Sequence, residues 1–154
     1  MALSASCSGR ERAGSSKPAG QVAPKRVGAT DSVTLTVTMT DAAVAALEEF
    51  LGPGEVRREE HPLRLSIEGT PDTYFSYWFG FADDPDRPEY KVDEVRDDVV
   101  IVKGFPLAVR RDHVRVLTGV TIDYVVSSKE GAGFSIENPR GTLESIMATD
   151  RRNR

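Results

Sequence analysis

Short segments in which every second side chain is apolar constrain this sequence most strongly. That alternation is typical of β-strands that bury one face. The three clearest runs are Val33, Leu35 and Val37; Leu63, Leu65 and Ile67; and Phe75, Tyr77, Phe79 and Phe81. Shorter runs follow at residues 90–95, 99–102, 117–124 and 134–136. A chain of 154 residues with this pattern is expected to form one domain rich in β-structure.

One substantial helix is predicted, from about residue 40 to residue 51. Thr40 is a good N-cap, and Asp41 suits the positive end of the helix dipole. Gly52 to Gly54, with Pro53 between them, should end the helix. The side chains expected on its inner face are Ala43, Leu47, Phe50 and Leu51.

The middle of the chain predicts two strand pairs and a second helix. The runs at 63–67 and 75–81, separated by a turn at Gly69 to Asp72, are expected to pair. Residues 90–95 and 99–102 are expected to form another pair. A short helix is predicted over about 105–114, because Pro106 is tolerated in a first helical turn. The predicted fold class is therefore α+β, with twisted mixed sheets packed together with one main and one short helix.

Charge and composition divide the chain into a basic start and an acidic body. Residues 1–30 carry five basic side chains and one acidic side chain, which leaves 15 basic and 23 acidic in the remainder. An acidic body argues against nucleic acid as a partner. No apolar run approaches the roughly 18 residues of a membrane-spanning helix, so no membrane association is predicted.

The predicted organisation is a tail at 1–31, a domain at 32–147 and a frayed C-terminus at 148–154. Residues 1–31 have few large apolar side chains and are expected to be disordered. They are interpreted either as a plain flexible tail of a cytoplasmic protein or as a transit peptide for a mitochondrion or plastid.

In order and spacing, four segments resemble the HesB/IscA family of A-type iron–sulfur carriers. They are residues 39–43, 75–77, 117–124 and 134–139, and the resemblance spans about Val33 to Met147. The fold that the resemblance implies is the HesB-like domain. The function that it implies is iron–sulfur cluster assembly, by a protein that is not an enzyme. The two histidines, His61 and His113, give no pattern of a catalytic site.

The chain departs from the family at the three positions where the family has cysteine ligands. Counting from the shared segments, these positions are Asp72, Ser145 and Met147, while the only cysteine is Cys7. Iron–sulfur clusters are held by thiolates, and a carboxylate, a hydroxyl and a thioether are poor substitutes. No cofactor is therefore expected. The alternative is an iron or iron–sulfur carrier that uses other ligands, either Asp72, Glu144 and Ser145 or groups supplied by a partner.

The predicted function is accordingly an accessory, protein-binding role in cluster assembly. Tyr74, Tyr77 and Trp78 are the candidate interface residues, because tyrosine and tryptophan are frequent anchors in protein interfaces. They could bind a partner protein or a second copy of the chain. Packing within the domain is the alternative role for the same rings. The acidic run at 83–98 is interpreted as solvated turns, with docking of a basic partner as the alternative.

Overall fold

The structure is a computed structural model and describes residues 33–70 and 72–152. The predicted tail, 1–31, lies outside the described residues. Strands β1 to β7 are Val37–Met39, Leu63–Glu68, Ser76–Phe81, Asp97–Val102, Phe105–Arg110, Val120–Ser127 and Gly131–Glu137. Helices α1 to α3 are Asp41–Leu51, Val114–Leu117 and Leu143–Arg152. Single 3₁₀ turns lie at Arg58–Glu60, Pro88–Tyr90 and Arg111–His113.

The strands form two sheets, which confirms the predicted α+β class. One sheet has the order β1-β6-β7, with β1 parallel to β6 and β7 antiparallel to β6. The other has the order β3-β2-β5-β4, in which only the β2–β5 pair is parallel. One apolar core joins α1 to both sheets. Its most deeply buried large side chains are Met39, Leu47, Leu63, Leu65, Phe105, Leu107, Leu117 and Ile122.

Helix α1 begins as its sequence predicts. The Thr40 hydroxyl accepts a hydrogen bond from the Ala43 amide at 3.2 Å and donates one to the Asp123 carboxylate in β6 at 2.5 Å. Ala43 and Leu47 are buried as expected. Phe50 is not, because its side chain is 65% exposed at the end of the helix. The predicted inner position of Phe50 is therefore wrong.

The predicted hairpin is confirmed, since β2 pairs antiparallel with β3 and places Leu65 opposite Phe79. The short helix predicted over 105–114 is wrong. Residues Phe105–Arg110 form β5, which lies between β2 and β4 in the sheet. Pro106 is tolerated there because the β2 partners of β5 begin only at Leu107. After β5, the 3₁₀ turn at Arg111–His113 and helix α2 are the helical parts of this segment.

The strand predicted at 90–95 is also wrong. Tyr90 ends a 3₁₀ turn, and β4 pairs with β5. A buried ion pair fixes this segment. Arg64 of β2 contacts the Asp97 carboxylate and donates to the carbonyls of Tyr90 at 2.6 Å and Lys91 at 3.1 Å. These bonds satisfy a guanidinium that is 3% exposed, and they hold the loop against the sheet.

The C-terminal residues form a helix where a frayed end was predicted. Helix α3 continues through Arg152, and the Thr142 carbonyl accepts from the Ile146 amide at 3.1 Å in its first turn. Leu143 and Ile146 are buried against Val116 of α2, which gives the helix an apolar face to pack. Over the described ranges, no helix has the length and apolar character needed to cross a membrane.

Candidate functional site

The turn before β3 contains Asp72, the first of the three positions aligned with family cysteines. Its ends are joined by hydrogen bonds from the Thr73 amide to the Thr70 carbonyl, 3.0 Å, and from the Thr70 amide to the Thr73 hydroxyl, 2.7 Å. Gly69 precedes this turn with φ +120°, and a Cβ there would lie 2.5 Å from the Tyr74 carbonyl oxygen. A glycine is required because the returning chain passes directly over its Cα. Asp72 itself is exposed.

A shallow surface pocket of about 370 Å³ joins this turn to α3. Its lining residues are Asp72, Thr73, Tyr74, Phe75 and Glu144. Tyr74 is 90% exposed, whereas Phe75 is half-buried and packs against the cluster of Val116, Leu143 and Ile146. The Arg151 guanidinium lies 5.3 Å from the centre of the Phe75 ring. The structure therefore brings Glu144 beside Asp72, and it adds Phe75 and Arg151, which the sequence did not single out.

Ser145 and Met147, the other two positions, lie on α3 and point in different directions. Residues two apart on an α-helix are separated by about 200° around its axis. Ser145 is exposed, and its hydroxyl donates to the Thr142 carbonyl at 2.9 Å. Met147 is partly buried and packs against the same apolar cluster as Phe75. The two side chains therefore do not converge on one point next to Asp72.

The donor set does not fit an iron–sulfur cluster. It offers one exposed carboxylate, one hydroxyl engaged with its own helix and one thioether packed against apolar side chains. Cluster irons need thiolates that face a common centre. Over residues 33–70 and 72–152, no group of three His, Cys, Asp or Glu side chains is placed to hold a metal ion.

Tyr77 and Trp78 make contacts within the domain. The Tyr77 hydroxyl accepts a hydrogen bond from the Asn138 side chain at 3.2 Å. Burial raises the pKa of Tyr77, with a smaller increase from the charge of Glu144, and the Asn138 hydrogen bond acts in the opposite direction. The Trp78 ring stacks on Tyr90 with 3.7 Å between centroids and 14° between planes. Of the three candidate interface aromatics, Tyr74 is thus the one left open to solvent.

The segments that carry the family resemblance have structural roles. Gly119 has φ +86°, and its amide donates to the Thr36 carbonyl at 2.7 Å, which joins the start of β6 to the chain before β1. The Asn138 side chain also donates to the Val116 carbonyl at 2.9 Å and so connects the end of β7 to α2. Phe134 contacts the rings of Phe79 and Tyr124 at 4.9 and 5.1 Å between centroids. These residues maintain the fold that surrounds the site.

Comparison with solved structures identifies the fold. The crystal structure of IscA with the [2Fe-2S] cluster aligns with a TM-score of 0.51 at 23% identity, covering 70% of this chain and 88% of IscA. SufA of Escherichia coli, involved in biosynthesis of iron–sulfur clusters, gives 0.49 at 21% identity, covering 69% and 82%. A solution structure of an Aquifex aeolicus protein gives 0.47 at 25% identity, covering 69% and 94%.

No protein-family model matches the chain, and no curated protein does so either. The fold assignment rests on the alignment with IscA together with the sheet order and helix positions described above. The chain has the HesB/IscA-like fold, as its sequence predicts.

Proposed function

We propose that this protein acts in iron–sulfur cluster assembly as a protein-binding accessory that does not itself carry a cluster. The observation that supports the proposal best is the divergence of Ser145 and Met147 on α3. On the same fold, IscA has been crystallised with a [2Fe-2S] cluster. Here the aligned positions offer no thiolate, and two of them face different surroundings.

The partner-binding surface that we propose is the surface around Tyr74, here called the Tyr74 surface and made of Asp72, Thr73, Tyr74, Phe75 and Glu144. Tyr74 presents an aromatic ring that is 90% exposed, and tyrosine is a frequent anchor of protein interfaces. Tyr74 also carries a hydroxyl that can hydrogen-bond at an interface edge. A partner protein or a second copy of the chain could cover the Tyr74 ring. Of the three predicted interface aromatics, only Tyr74 belongs to this surface, because Tyr77 is hydrogen-bonded to Asn138 and Trp78, stacked on Tyr90, lines a different pocket.

A second candidate function is an iron carrier with oxygen ligands. It is favoured by one observation, that Asp72 and Glu144 line the same pocket. Two carboxylates with open positions can hold a mononuclear iron weakly, and a partner could complete the ligand set. This alternative and the accessory role differ in whether isolated protein retains iron.

Anaerobic reconstitution separates the two functions. The purified protein is incubated with ferrous iron and sulfide, desalted, and examined for visible absorption and iron content, with IscA as the positive control. We expect neither a chromophore nor retained iron. Near-stoichiometric iron that is lost in Asp72→Ala would establish the carrier alternative, and a stable chromophore would reject the accessory role.

Binding by the Tyr74 surface is tested with purified cluster-assembly proteins from the source organism. Tyr74→Ala is compared with Val126→Ala, because Val126 is a comparably exposed side chain, 79%, near the tip of the β6–β7 hairpin. We expect Tyr74→Ala to weaken binding by about tenfold or more, as loss of an aromatic anchor does, and Val126→Ala to leave it unchanged. Equal affinities for the two variants would exclude the Tyr74 surface.

A further inference from the structure

A second surface, at the opposite end of β3, is more apolar than the Tyr74 surface. It is a groove of about 550 Å³, here called the aromatic groove. The side chains that matter for its chemistry are Phe50, Trp78, Phe81, Phe134, Asp83 and Asp84. The sequence prediction overlooked it, because Phe50 was assigned to the core and Phe134 to the last strand alone.

The walls of the groove are aromatic rings that pack against neighbouring rings, and one edge of the groove is open. Trp78 is held by its stack on Tyr90, and Phe134 is 6.2 Å from Phe50, between ring centroids. Gly80 leaves room beneath the Trp78 ring, since a Cβ there would lie 3.0 Å from two of its atoms. Phe50 remains 65% exposed at the rim. A preformed aromatic wall with an exposed rim is suited to a chain segment laid across it, rather than to an enclosed small molecule.

The groove runs along an edge of the four-stranded sheet with which none of the described strands pairs. β3 is the outermost strand next to β2, and side chains from both of its faces, Trp78 and Phe81, line the groove. The Ala82 amide donates to the Pro62 carbonyl at 2.8 Å, which fixes the alternation of hydrogen-bonded pairs along β3. By that alternation the main-chain groups of Gly80 face β2, and those of Phe81 face away from it. An extended peptide could therefore pair with this edge.

The charge of the groove specifies the peptide further. Asp83 and Asp84 lie at its rim, and none of its described lining residues is Lys or Arg. They begin the segment 83–98, which ends in the first two residues of β4 and has eight acidic and three basic residues. An acidic rim beside an apolar wall is complementary to a segment that carries a large apolar side chain next to Lys or Arg.

We infer that the aromatic groove binds an extended segment of a partner protein that carries bulky apolar side chains flanked by basic residues. The segment lies beside β3, inserts an apolar side chain among Phe50, Trp78 and Phe134, and places its basic residues against Asp83 and Asp84. This inference does not depend on the proposed function, because the groove and the Tyr74 surface lie at opposite ends of β3.

The inference is tested by selecting binders from a random peptide display library with the purified full-length protein. Enriched peptides are synthesised, and their Kd is measured against four variants. Phe50→Ser and Asp83→Lys alter the groove, Val126→Ala is the control at another exposed position, and Tyr74→Ala reports whether a peptide binds the Tyr74 surface instead. Thermal unfolding confirms that each variant is folded.

We expect the enriched peptides to combine large apolar residues with Lys or Arg. Phe50→Ser should weaken binding about tenfold, and Asp83→Lys should also weaken it, because a lysine there repels the basic residues of the peptide. Val126→Ala should leave Kd unchanged. Amide hydrogen exchange at Phe81 should slow when the peptide is bound, because its N–H then has a strand partner.

Four results would overturn the inference. They are the absence of enriched peptides, enrichment of acidic peptides by the unmodified protein, equal binding by Phe50→Ser, and unchanged exchange at Phe81. Light scattering measures the oligomeric state. A dimer of the unmodified protein that Phe50→Ser converts to a monomer would also overturn the inference, because a second copy would then occupy the groove. A Kd raised only in Tyr74→Ala would place the peptide on the Tyr74 surface and would likewise overturn the inference.

Discussion

Arg64 and Asp97 are charged side chains that are almost completely buried, at 3% and 4% exposure. Both side chains make hydrogen bonds beyond the ion pair. Arg64 donates to two loop carbonyls, and the Asp97 carboxylate accepts from the Asp93 amide at 2.8 Å. A buried pair of this kind adds little net stability, but losing one member leaves an uncompensated charge in the interior. The pair therefore specifies where the loop is held.

Asp97→Leu should accordingly destabilise the protein by about 3–5 kcal/mol, the range for breaking a buried ion pair. The double variant Arg64→Met, Asp97→Leu should be less destabilised than Asp97→Leu, because no buried guanidinium then remains unpaired. Urea denaturation of the variants measures both free energies of unfolding. As a surface control, Arg57→Ala removes the exposed Arg57–Glu60 pair and should change stability by less than about 1 kcal/mol. If the double variant were the less stable one, the loop carbonyls would matter more than the charges.

Tyr77 makes stability depend on pH in the alkaline range. Burial raises the pKa of its hydroxyl above the ordinary value of 10.0, so the folded state retains this proton where the unfolded chain loses it. Its contribution to the free energy of unfolding is complete below pH 10 and declines as the pH rises through the folded-state pKa. Tyr77→Phe has no proton to lose. The free energy of unfolding of wild type, relative to that of Tyr77→Phe, should therefore decrease above pH 10. An increase relative to Tyr77→Phe would contradict the assigned cause.

At the scale of elements, Thr40 connects the start of α1 to β6. Thr40→Ala removes both the N-cap bond to Ala43 and the bond to Asp123, and should lower the free energy of unfolding by about 1–2 kcal/mol. Thr40→Ser retains the hydroxyl and should remain within about 0.5 kcal/mol of wild type. Chemical denaturation of the two variants makes the comparison. Equal losses would attribute the effect to the Thr40 methyl group instead of its hydroxyl.

Strands β2 and β3 and the start of helix α1 were predicted correctly from the sequence. The period-two pattern of β2 and β3 and the capping residues of α1 need no knowledge of distant partners. The prediction for residues 105–110 failed because Phe105 to Val109 is a short, almost wholly apolar run. Such a run is equally consistent with a buried strand and with a buried helix. Its identity depends on β2, a parallel partner some 40 residues earlier, which sequence pattern does not reveal.

The candidate site was only partly predictable for the same reason. Counting from the shared segments located Asp72, Ser145 and Met147. It did not predict the helix that directs the last two side chains apart. The sequence did contain a signal for helix α3, because Leu143, Ile146 and Met147 have the three- and four-residue spacing of a helix face. The placement of Glu144 and Asp72 in one pocket and the exposure of Phe50 depend on how α3 and α1 pack, and no local pattern specifies that packing.

At the scale of the whole molecule, the difference from the HesB/IscA cysteine pattern involves conformation as well as residue identity. The family resemblance places a Cys-Gly-Cys segment at 145–147, where this chain has Ser145, Ile146 and Met147. Ile146 is buried at 4% exposure and secures α3 to the domain through Val116 and Leu143. Introducing thiols without releasing this helix should leave them directed apart.

The triple variant Asp72→Cys, Ser145→Cys, Met147→Cys should therefore fail to hold a stable cluster, even though it has all three family ligands. Adding Ile146→Gly removes the buried anchor and lowers helix propensity by up to about 1 kcal/mol, so that the two C-terminal thiols can turn toward Cys at position 72. This quadruple variant should retain more iron than the triple variant after anaerobic reconstitution and desalting. Iron content and visible absorption are measured for both, with unfolding midpoints to confirm that each is folded. A triple variant that bound a cluster as fully as IscA would show that helix α3 is no barrier and that only the thiolates are missing.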